Sequence, residues 1–247
     1  MTSPRTTLPG FLTLFGSVLA LVRRHAEPVG LIGGLFLFLP MMALLLFLPP
    51  PALTGNEEDL VKHLTAYAQK ASIPMLAITL PMAFGNAAIL SVFLGTGNRT
   101  IGGHLGQAGR LFAGFLALVI LVRLLVGLGM QLLLIPGLAA YVATFLAKPA
   151  MLAEQNLNPF AALKRGLEIP RGRFGQLAAL LFLTMFGAFL GAMVFLMLVS
   201  GFFALVVPQA VFGLSSVLLA AFVITALMVM EMALSVALYA AFTGAGG

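Results

Sequence analysis

The sequence predicts an all-α polytopic membrane protein with six transmembrane helices and short amphipathic interfacial helices on the cytoplasmic side. Residues 174–230 contain no charged side chain. A helix needs about 20 apolar residues to cross a bilayer, so this stretch holds two spans. Composition agrees, because 61% of residues are hydrophobic and only 8% are charged, against about 25% charged in ordinary soluble domains. Residues 1–247 are therefore expected to form a single transmembrane helical domain.

Uncharged windows define the six predicted spans. These spans cover residues 29–48, 73–94, 111–135, 138–153, 174–206 and 211–242. Prolines mark several of the boundaries, because proline disrupts a helix interior and favours turns. We expect Pro40 to kink the first span, Pro136-Gly137 to form a tight turn, and Pro208-Gln209 to separate the last two spans.

The distribution of Lys and Arg predicts the orientation. Ten of the 13 basic residues fall in connections on one side, two on the other, and Arg123 lies within a span. The positive-inside rule places the basic side, and with it both termini, in the cytoplasm. The acidic segment 52–70 is then the one sizeable external segment. The apolar run 8–22 is followed directly by Arg23-Arg24 without a cleavage site, so we expect it to be retained.

Three segments on the predicted cytoplasmic side, 8–24, 100–110 and 158–169, have the pattern of short helices lying on the membrane. In the clearest, 158–169, Asn158 is a good N-cap and Pro159 takes the first helical position. Three apolar side chains share one face and are expected to point inward: Phe160, Leu163 and Leu167. Charged side chains occupy the other face: Lys164, Arg165 and Glu168.

A basic amphipathic helix of this kind rests at the membrane interface near anionic head groups. The expected lipid-contacting residues are the basic side chains in and after the helix: Lys164, Arg165, Arg171 and Arg173. The alternative is that these charges only set the topology of the chain.

Residues 137–174, GLAAYVATFLAKPAMLAEQNLNPFAALKRGLEIPRGRF, carry a more specific pattern. The pattern has a Pro-Gly turn, a proline a few residues before a glutamate, a short helix with Ala-Leu-Lys-Arg, and an Arg-Gly pair before the next span. The corresponding positions are Pro136-Gly137, Pro149, Glu154, Ala162-Leu163-Lys164-Arg165 and Arg171-Gly172. The YciC-like proteins that this pattern resembles typically have Ser where this chain has Gly166, and more often a polar residue at the place of Pro170.

This segment resembles a family of uncharacterised bacterial inner-membrane proteins, the YciC-like proteins, which are relatives of the glycerophosphoryl diester phosphodiesterase membrane domain. The resemblance implies a multi-pass protein of the bacterial inner (plasma) membrane. It covers the membrane part only. The membrane domain is sometimes fused to a phosphodiesterase barrel, but this sequence carries no such barrel, so the enzymatic name does not transfer.

Arg123 and Glu231 are the two charges deep within predicted spans. Intramembrane ionisable groups are costly and are functional candidates by default. Their estimated depths agree, so we expect them to form an ion pair. Two interpretations stay open: a structural pair that neutralises both charges, or a role in transport or gating.

Several chemistries are excluded or disfavoured by the sequence. Cysteine is absent, which removes disulfides and thiolate ligands. The three histidines, His25, His63 and His104, lie in different segments and cannot converge on one metal. No metalloprotease, hydrolase or nucleotide-binding motif occurs, so we expect no enzyme activity and no cofactor. The basic residues form no nucleic-acid face, and the predicted partners are membrane lipids.

The leading hypothesis is a non-enzymatic inner-membrane protein in envelope or lipid homeostasis, or a membrane scaffold. The alternative is a small transporter or substrate-binding membrane subunit. Prolines inside several spans favour that alternative, because broken helices often line substrate paths.

Overall fold

The computed structural model describes residues 10–48, 57–95, 100–206 and 208–244. Within these ranges the chain forms ten α-helices and one π-helical segment, with no strand, which confirms the predicted all-α class. The helices are α1 (Phe11–Arg24), α2 (Ala26–Gly33), α3 (Leu39–Phe47), α4 (Glu57–Leu94), α5 (Ile101–Leu132), α6 (Leu134–Thr144), α7 (Ala147–Ala153), α8 (Pro159–Glu168), α9 (Phe174–Val206) and α10 (Gln209–Thr243).

Six helical stretches in the described part of the chain are long and apolar enough to cross a membrane, as the sequence predicts. They are Ala26–Phe47, Glu58–Leu94, Ile101–Leu132, Ile135–Ala153, Phe174–Phe203 and Gly213–Thr243. The first comprises α2, the π-helical segment and α3, and the fourth comprises α6 and α7. The protein is therefore a multi-pass membrane protein.

The first span changes its winding just before Pro40. A π-helical segment, Gly34–Phe38, separates α2 from α3. Proline has no N–H and its ring collides with the carbonyl four residues earlier, here Phe36, so the wider turn accommodates Pro40. The second span approaches this point closely, because a Cβ on Gly85 would lie 2.5 Å from the Cβ of Phe36.

Two spans begin earlier than the sequence predicts. Residues 57–70, expected in an external segment, are helical and continuous with the second span. Segment 100–110 is not a separate interfacial helix, because α5 runs unbroken from Ile101 to Leu132. The Thr100 hydroxyl caps α5 by accepting a hydrogen bond from the Gly103 N–H at 3.3 Å. No proline follows in the segment to stop the helix.

The turn between the third and fourth spans lies at Leu133, not at Pro136-Gly137 as predicted. Leu133 is extended (φ −163°, ψ 147°), and Pro136 lies in the first turn of α6. Proline costs little there, because the first N–H groups of a helix lack intrahelical acceptors. Gly129 and Gly137 let the two helices meet, since a Cβ on Gly129 would lie 2.8 Å from the Cα of Gly137.

The fourth span is broken near its middle. Residues Phe145 and Leu146 form a turn between α6 and α7. Pro149 explains the break, because it cannot donate to the Phe145 carbonyl and its ring displaces that group. The chain then continues in α7, which is buried from Ala147 to Leu152 except for Lys148.

The core of the bundle is built from α4, α5, α7 and α10. Large side chains from these helices are fully buried, among them Ile89, Phe115, Leu118 and Met151. By contrast α9 is peripheral, with no buried residue in its most apolar window. The short helix α1 packs against α10, and its Leu14 and Val18 are buried. Successive spans run antiparallel. One end of the bundle, hereafter the α8 end, therefore holds α8 together with α1, the end of α4 and the start of α5.

Candidate functional site

The resemblance segment folds as a helical hairpin, α7 and α8, joined by a tight connection at residues 154–158. Gln155 adopts a left-handed conformation (φ 50°). The Asn156 side-chain oxygen accepts a hydrogen bond from the Asn158 N–H at 2.9 Å. The Asn156 N–H donates to the Met151 carbonyl at 3.1 Å. These bonds satisfy the backbone of the connection and fix the direction in which α8 leaves α7.

Asn158 and Pro159 begin α8 in the predicted manner. The Asn158 side-chain oxygen accepts from the N–H groups of Phe160 (3.0 Å) and Ala161 (3.4 Å). Pro159 occupies the first helical position, where its fixed φ suits the helix and its missing N–H costs nothing.

Gly166 allows α8 to lie against the backbone of α7. A Cβ at this position would lie 2.7 Å from both the N and the Cα of Ala147. Ala162, one turn earlier, is also buried. The packed face of α8 is thus made of small residues, and the Ser that the resembled family typically has here would not fit without a shift.

The apolar residues predicted to share one face of α8 do not all pack on the bundle. Phe160 is 67% exposed and Leu167 is 45% exposed, while Leu163 is half-buried. At 3.6 residues per turn, the buried pair Ala162 and Gly166 lies about 100–160° around the helix axis from Phe160 and Leu167. Ala162 and Gly166 face α7 because only small side chains allow the backbones of the two helices to come into contact. The helix therefore has three faces: one packed, one apolar and exposed, and one charged.

The charged face includes an ion pair between two motif residues. The Arg165 Nε lies 2.7 Å from the Glu154 Oε1. This hydrogen bond raises the pKa of the Arg165 guanidinium above its usual value. The pair closes the hairpin at its outer edge, joining α8 to the end of α7. It is partly exposed, so its contribution to stability is small.

The remaining basic residues of the segment lie close by. Lys164 is exposed and lies 4.0 Å from Glu168 (Nζ to Oε1). Arg171 is exposed in the connection to α9, and Arg173 is half-buried. The Arg173 carbonyl accepts from the Leu177 N–H at 3.0 Å, so this residue begins α9. Lys164, Arg165, Arg171 and Arg173 thus share the α8 end with the exposed apolar face of α8.

The predicted Arg123–Glu231 pair is not formed in the described part of the chain. The Arg123 Nη1 donates to the Thr79 hydroxyl at 3.2 Å, and Arg123 is exposed on the outer surface. Glu231 accepts instead from the Tyr141 hydroxyl at 3.3 Å, and its Oε1 lies 4.0 Å from the Lys148 Nζ. The prediction of this pair compared how deep the two residues lie along their helix axes. It did not consider the direction in which each side chain points around its axis. Glu231 faces α6 and α7, whereas Arg123 faces outward beside α4.

The Glu231 cluster encloses a small cavity of about 30 Å³. Its polar lining includes Tyr141, Thr144, Lys148, Glu231 and Ser235. This volume matches a single water molecule. A cavity of this size and polarity suits a single water between the carboxylate and the hydroxyls.

Sequence reasoning missed Tyr141 and Lys148 as partners of Glu231. The sequence contained a signal for this cluster. Tyr141 and Lys148 are seven residues apart, and this spacing places two side chains on the same face of a predicted helix, two turns apart. It also missed a buried contact between α4 and α5. The Ser91 hydroxyl donates to the Gln107 Oε1 at 3.0 Å and lies 3.1 Å from the His104 Nδ1. His104 is itself buried.

A larger cavity of about 1150 Å³ lies at the α8 end. Arg24, His25, Glu27, Thr100 and His104 supply polar groups to its lining. His25 and His104 thus border one space although they lie far apart in the sequence. No cluster of three or more metal-ligating side chains occurs among the residues that the structure describes.

Comparison with protein-family models finds no match for this chain, and neither does comparison with curated proteins or with solved structures. The fold and the site nevertheless define a class: an all-helical, multi-pass membrane protein, with six helices of spanning length in the part of the chain that the structure describes. Its resemblance to the YciC-like proteins stays a prediction from the sequence.

Proposed function

We propose that this chain is a non-enzymatic, YciC-like protein of the bacterial inner membrane that holds anionic lipid head groups at its α7–α8 hairpin. Its role would lie in envelope or lipid homeostasis, or in scaffolding other membrane components. The observation that carries the proposal is the three-faced arrangement of α8. One face packs on α7, a second offers Phe160 and Leu167, and the third carries Lys164.

This arrangement suits the boundary between head groups and acyl chains. Exposed Phe and Leu side chains gain free energy by entering the apolar region, whereas Lys and Arg favour the anionic surface. The apolar side continues into the connection, because Leu157 is also exposed. The proposed orientation, with this end and both termini in the cytoplasm, rests on the asymmetry of Lys and Arg.

The small size of the polar cavity at Glu231 favours a scaffold over a carrier at that place, whereas the cavity of about 1150 Å³ lies at the α8 end. The polar cavity around Glu231 holds about 30 Å³, which is far below the volume of about 300–1,000 Å³ typical of ligand pockets. The surrounding core side chains, such as Leu90 and Met232, are buried.

The proposal is tested by lipid selectivity of the full chain in vesicles of phosphatidylcholine with a minor share of phosphatidylglycerol. Energy transfer from a label near α8 to labelled phosphatidylglycerol reports local enrichment. Each basic residue near the surface contributes about 1 kcal/mol, and about 1.4 kcal/mol is tenfold, so Lys164→Gln with Arg171→Gln should reduce the enrichment by about tenfold or more. The matched control is Lys62→Gln with Lys70→Gln, which removes two charges at the opposite end. Equal enrichment in wild type and the α8 variant contradicts the proposal.

A small transporter is the second candidate, and the broken fourth span favours it. Helix breaks within the membrane often form substrate or ion sites. Here the break at Phe145 and Leu146 lies beside Tyr141, Lys148 and Glu231. Ser235→Cys would report on access, because the chain has no cysteine of its own. Reaction with an impermeant maleimide from each side of the membrane in turn would favour a transporter, and protection from both sides would favour the scaffold.

A further inference from the structure

Arg123 occupies an unusual place on the outer surface of the bundle. Its side chain is exposed, and Thr79 provides its polar contact in the described part of the chain. A guanidinium has five N–H donors, so most of its hydrogen-bonding capacity is directed away from this bundle.

Two independent measures place Arg123 near the middle of the membrane. It lies nine residues before the end of α5 at Leu132, which is about 14 Å along the axis. Its neighbour Thr79 lies nine residues after Lys70, the last charge of α4 before the apolar window, which is again about 14 Å. Half of a hydrocarbon core is about 15 Å thick, so both helices place this contact close to mid-depth.

The surface around Arg123 is apolar. Leu76 on α4 is 70% exposed, Leu124 on α5 is 58% exposed, and Ile120 is also exposed. An arginine that faces lipid at this depth is unfavourable, and intramembrane charges almost always face protein, water or a partner. We call this surface, made of Thr79, Arg123 and their exposed neighbours, the α4–α5 face. Contact with another molecule that pairs with Arg123 would therefore be favourable here.

A second copy of this chain could not supply the opposite charge at mid-depth. The sequence has seven acidic residues, and six of them, at 27, 57, 58, 59, 154 and 168, lie at helix ends or in a connection, away from the middle of a span. The seventh, Glu231, already contacts Tyr141 and Lys148 inside the bundle. A carboxylate for Arg123 has to come from a different polypeptide.

We infer that the α4–α5 face around Arg123 binds a transmembrane helix of another protein, one that carries an Asp or Glu near the middle of its span. The carboxylate would pair with the guanidinium, and apolar side chains of the partner would pack on Leu76, Ile120 and Leu124. This inference is independent of the lipid contact proposed for α8.

Site-specific photo-crosslinking of the full chain in the membrane of its own host tests the inference. A photoreactive residue replaces Leu124 beside Arg123. A matched control replaces Phe182 on the peripheral helix α9, which is 67% exposed and should give lipid adducts. We expect the first position to give a protein adduct whose crosslinked segment is a transmembrane helix with a central Asp or Glu.

The adduct should fall about tenfold or more in Arg123→Leu, since about 1.4 kcal/mol corresponds to tenfold, and should persist in Arg123→Lys. The Phe182 adducts report that each variant is inserted and folded. Lipid adducts alone at position 124 would overturn the inference in favour of a lipid phosphate as the counter-ion. A self-adduct, a partner segment without an acidic residue, or an adduct that survives Arg123→Leu unchanged would also overturn it.

Discussion

Lys148 and Glu231 meet across the break in the fourth span, with the Lys148 Nζ 4.0 Å from the Glu231 Oε1. Tyr141 reaches the same carboxylate from the other side of the break, with its hydroxyl donating at 3.3 Å. Glu231 thus holds α6 and α7 together although the helix between them is interrupted. Both charged side chains are about one-third exposed or less.

A double-mutant cycle on Lys148→Met and Glu231→Gln should show strong coupling. Removing one partner leaves a partly buried charge uncompensated, which we expect to lower the free energy of unfolding by about 1–3 kcal/mol, discounted for exposure from the larger cost of a fully buried pair. The double variant should recover part of the loss. Unfolding in mixed micelles of increasing dodecyl sulfate content measures each variant.

The matched control for this cycle is Arg123→Leu combined with Glu231→Gln. Because Arg123 contacts Thr79 instead, the two losses should add within about 0.5 kcal/mol. Coupling in the control and none between Lys148 and Glu231 would mean that the pairing in the structure is wrong.

Replacing Gly166 by Ala should loosen the α7–α8 hairpin. The added Cβ would lie 2.7 Å from the Ala147 backbone, and backbone atoms yield less readily than a flexible side chain. Overpacking of this kind costs about 1–3 kcal/mol. Gly191→Ala in α9 is the control, because a Cβ there meets nothing within 4 Å. Hydrogen exchange of the α8 amides measures the loosening. Equal protection from exchange in both variants would show that α8 does not pack against α7.

Breaking the Arg165–Glu154 pair should have a much smaller effect. Both side chains are more than a third exposed, and solvated pairs contribute about 0.2–1 kcal/mol. Glu154→Gln should therefore reduce stability by less than Gly166→Ala does. The loss should shrink further at high salt, where exposed charges are screened. A salt-independent loss larger than that of Gly166→Ala would assign the hairpin's stability to the ion pair.

The predicted orientation is open to a direct test, because the chain contains no cysteine. A single cysteine in place of His63 should react with an impermeant maleimide added outside intact cells. One in place of Arg171 should react only after the membrane is permeabilised. Labelling of both from the same side would contradict the topology with cytoplasmic termini.

The helical class and the number of spans followed from the sequence because they depend on length and charge alone. Long uncharged windows can only be helices that cross the membrane. The cap of α8 was equally predictable, since Asn158 and Pro159 act locally. The helix starts at 57 and 101 were not predicted, because hydropathy does not mark where a helix begins outside the hydrocarbon. The Thr100 cap was a signal for the start at 101.

The partners of Glu231 and the inner face of α8 depend on rotation of helices about their axes. Hydropathy along a membrane helix does not specify that rotation, because lipid and the bundle interior are similarly apolar. In α8 the small size of Ala162 and Gly166 decides which face contacts α7, so Leu163 is half-buried and Leu167 stays exposed. Small residues were therefore the better guide to contact.

The position of α8 at the membrane interface is the central claim, and collision accessibility of spin labels tests it most directly. Labels at Lys164, Leu167 and the buried Ala162 are compared in vesicles containing phosphatidylglycerol, with oxygen as the lipid-soluble reagent and a nickel chelate as the water-soluble one. We predict that Leu167 favours oxygen, Lys164 favours the chelate, and Ala162 is protected from both. Equal chelate access at Leu167 and Lys164 would place α8 in water and contradict the account.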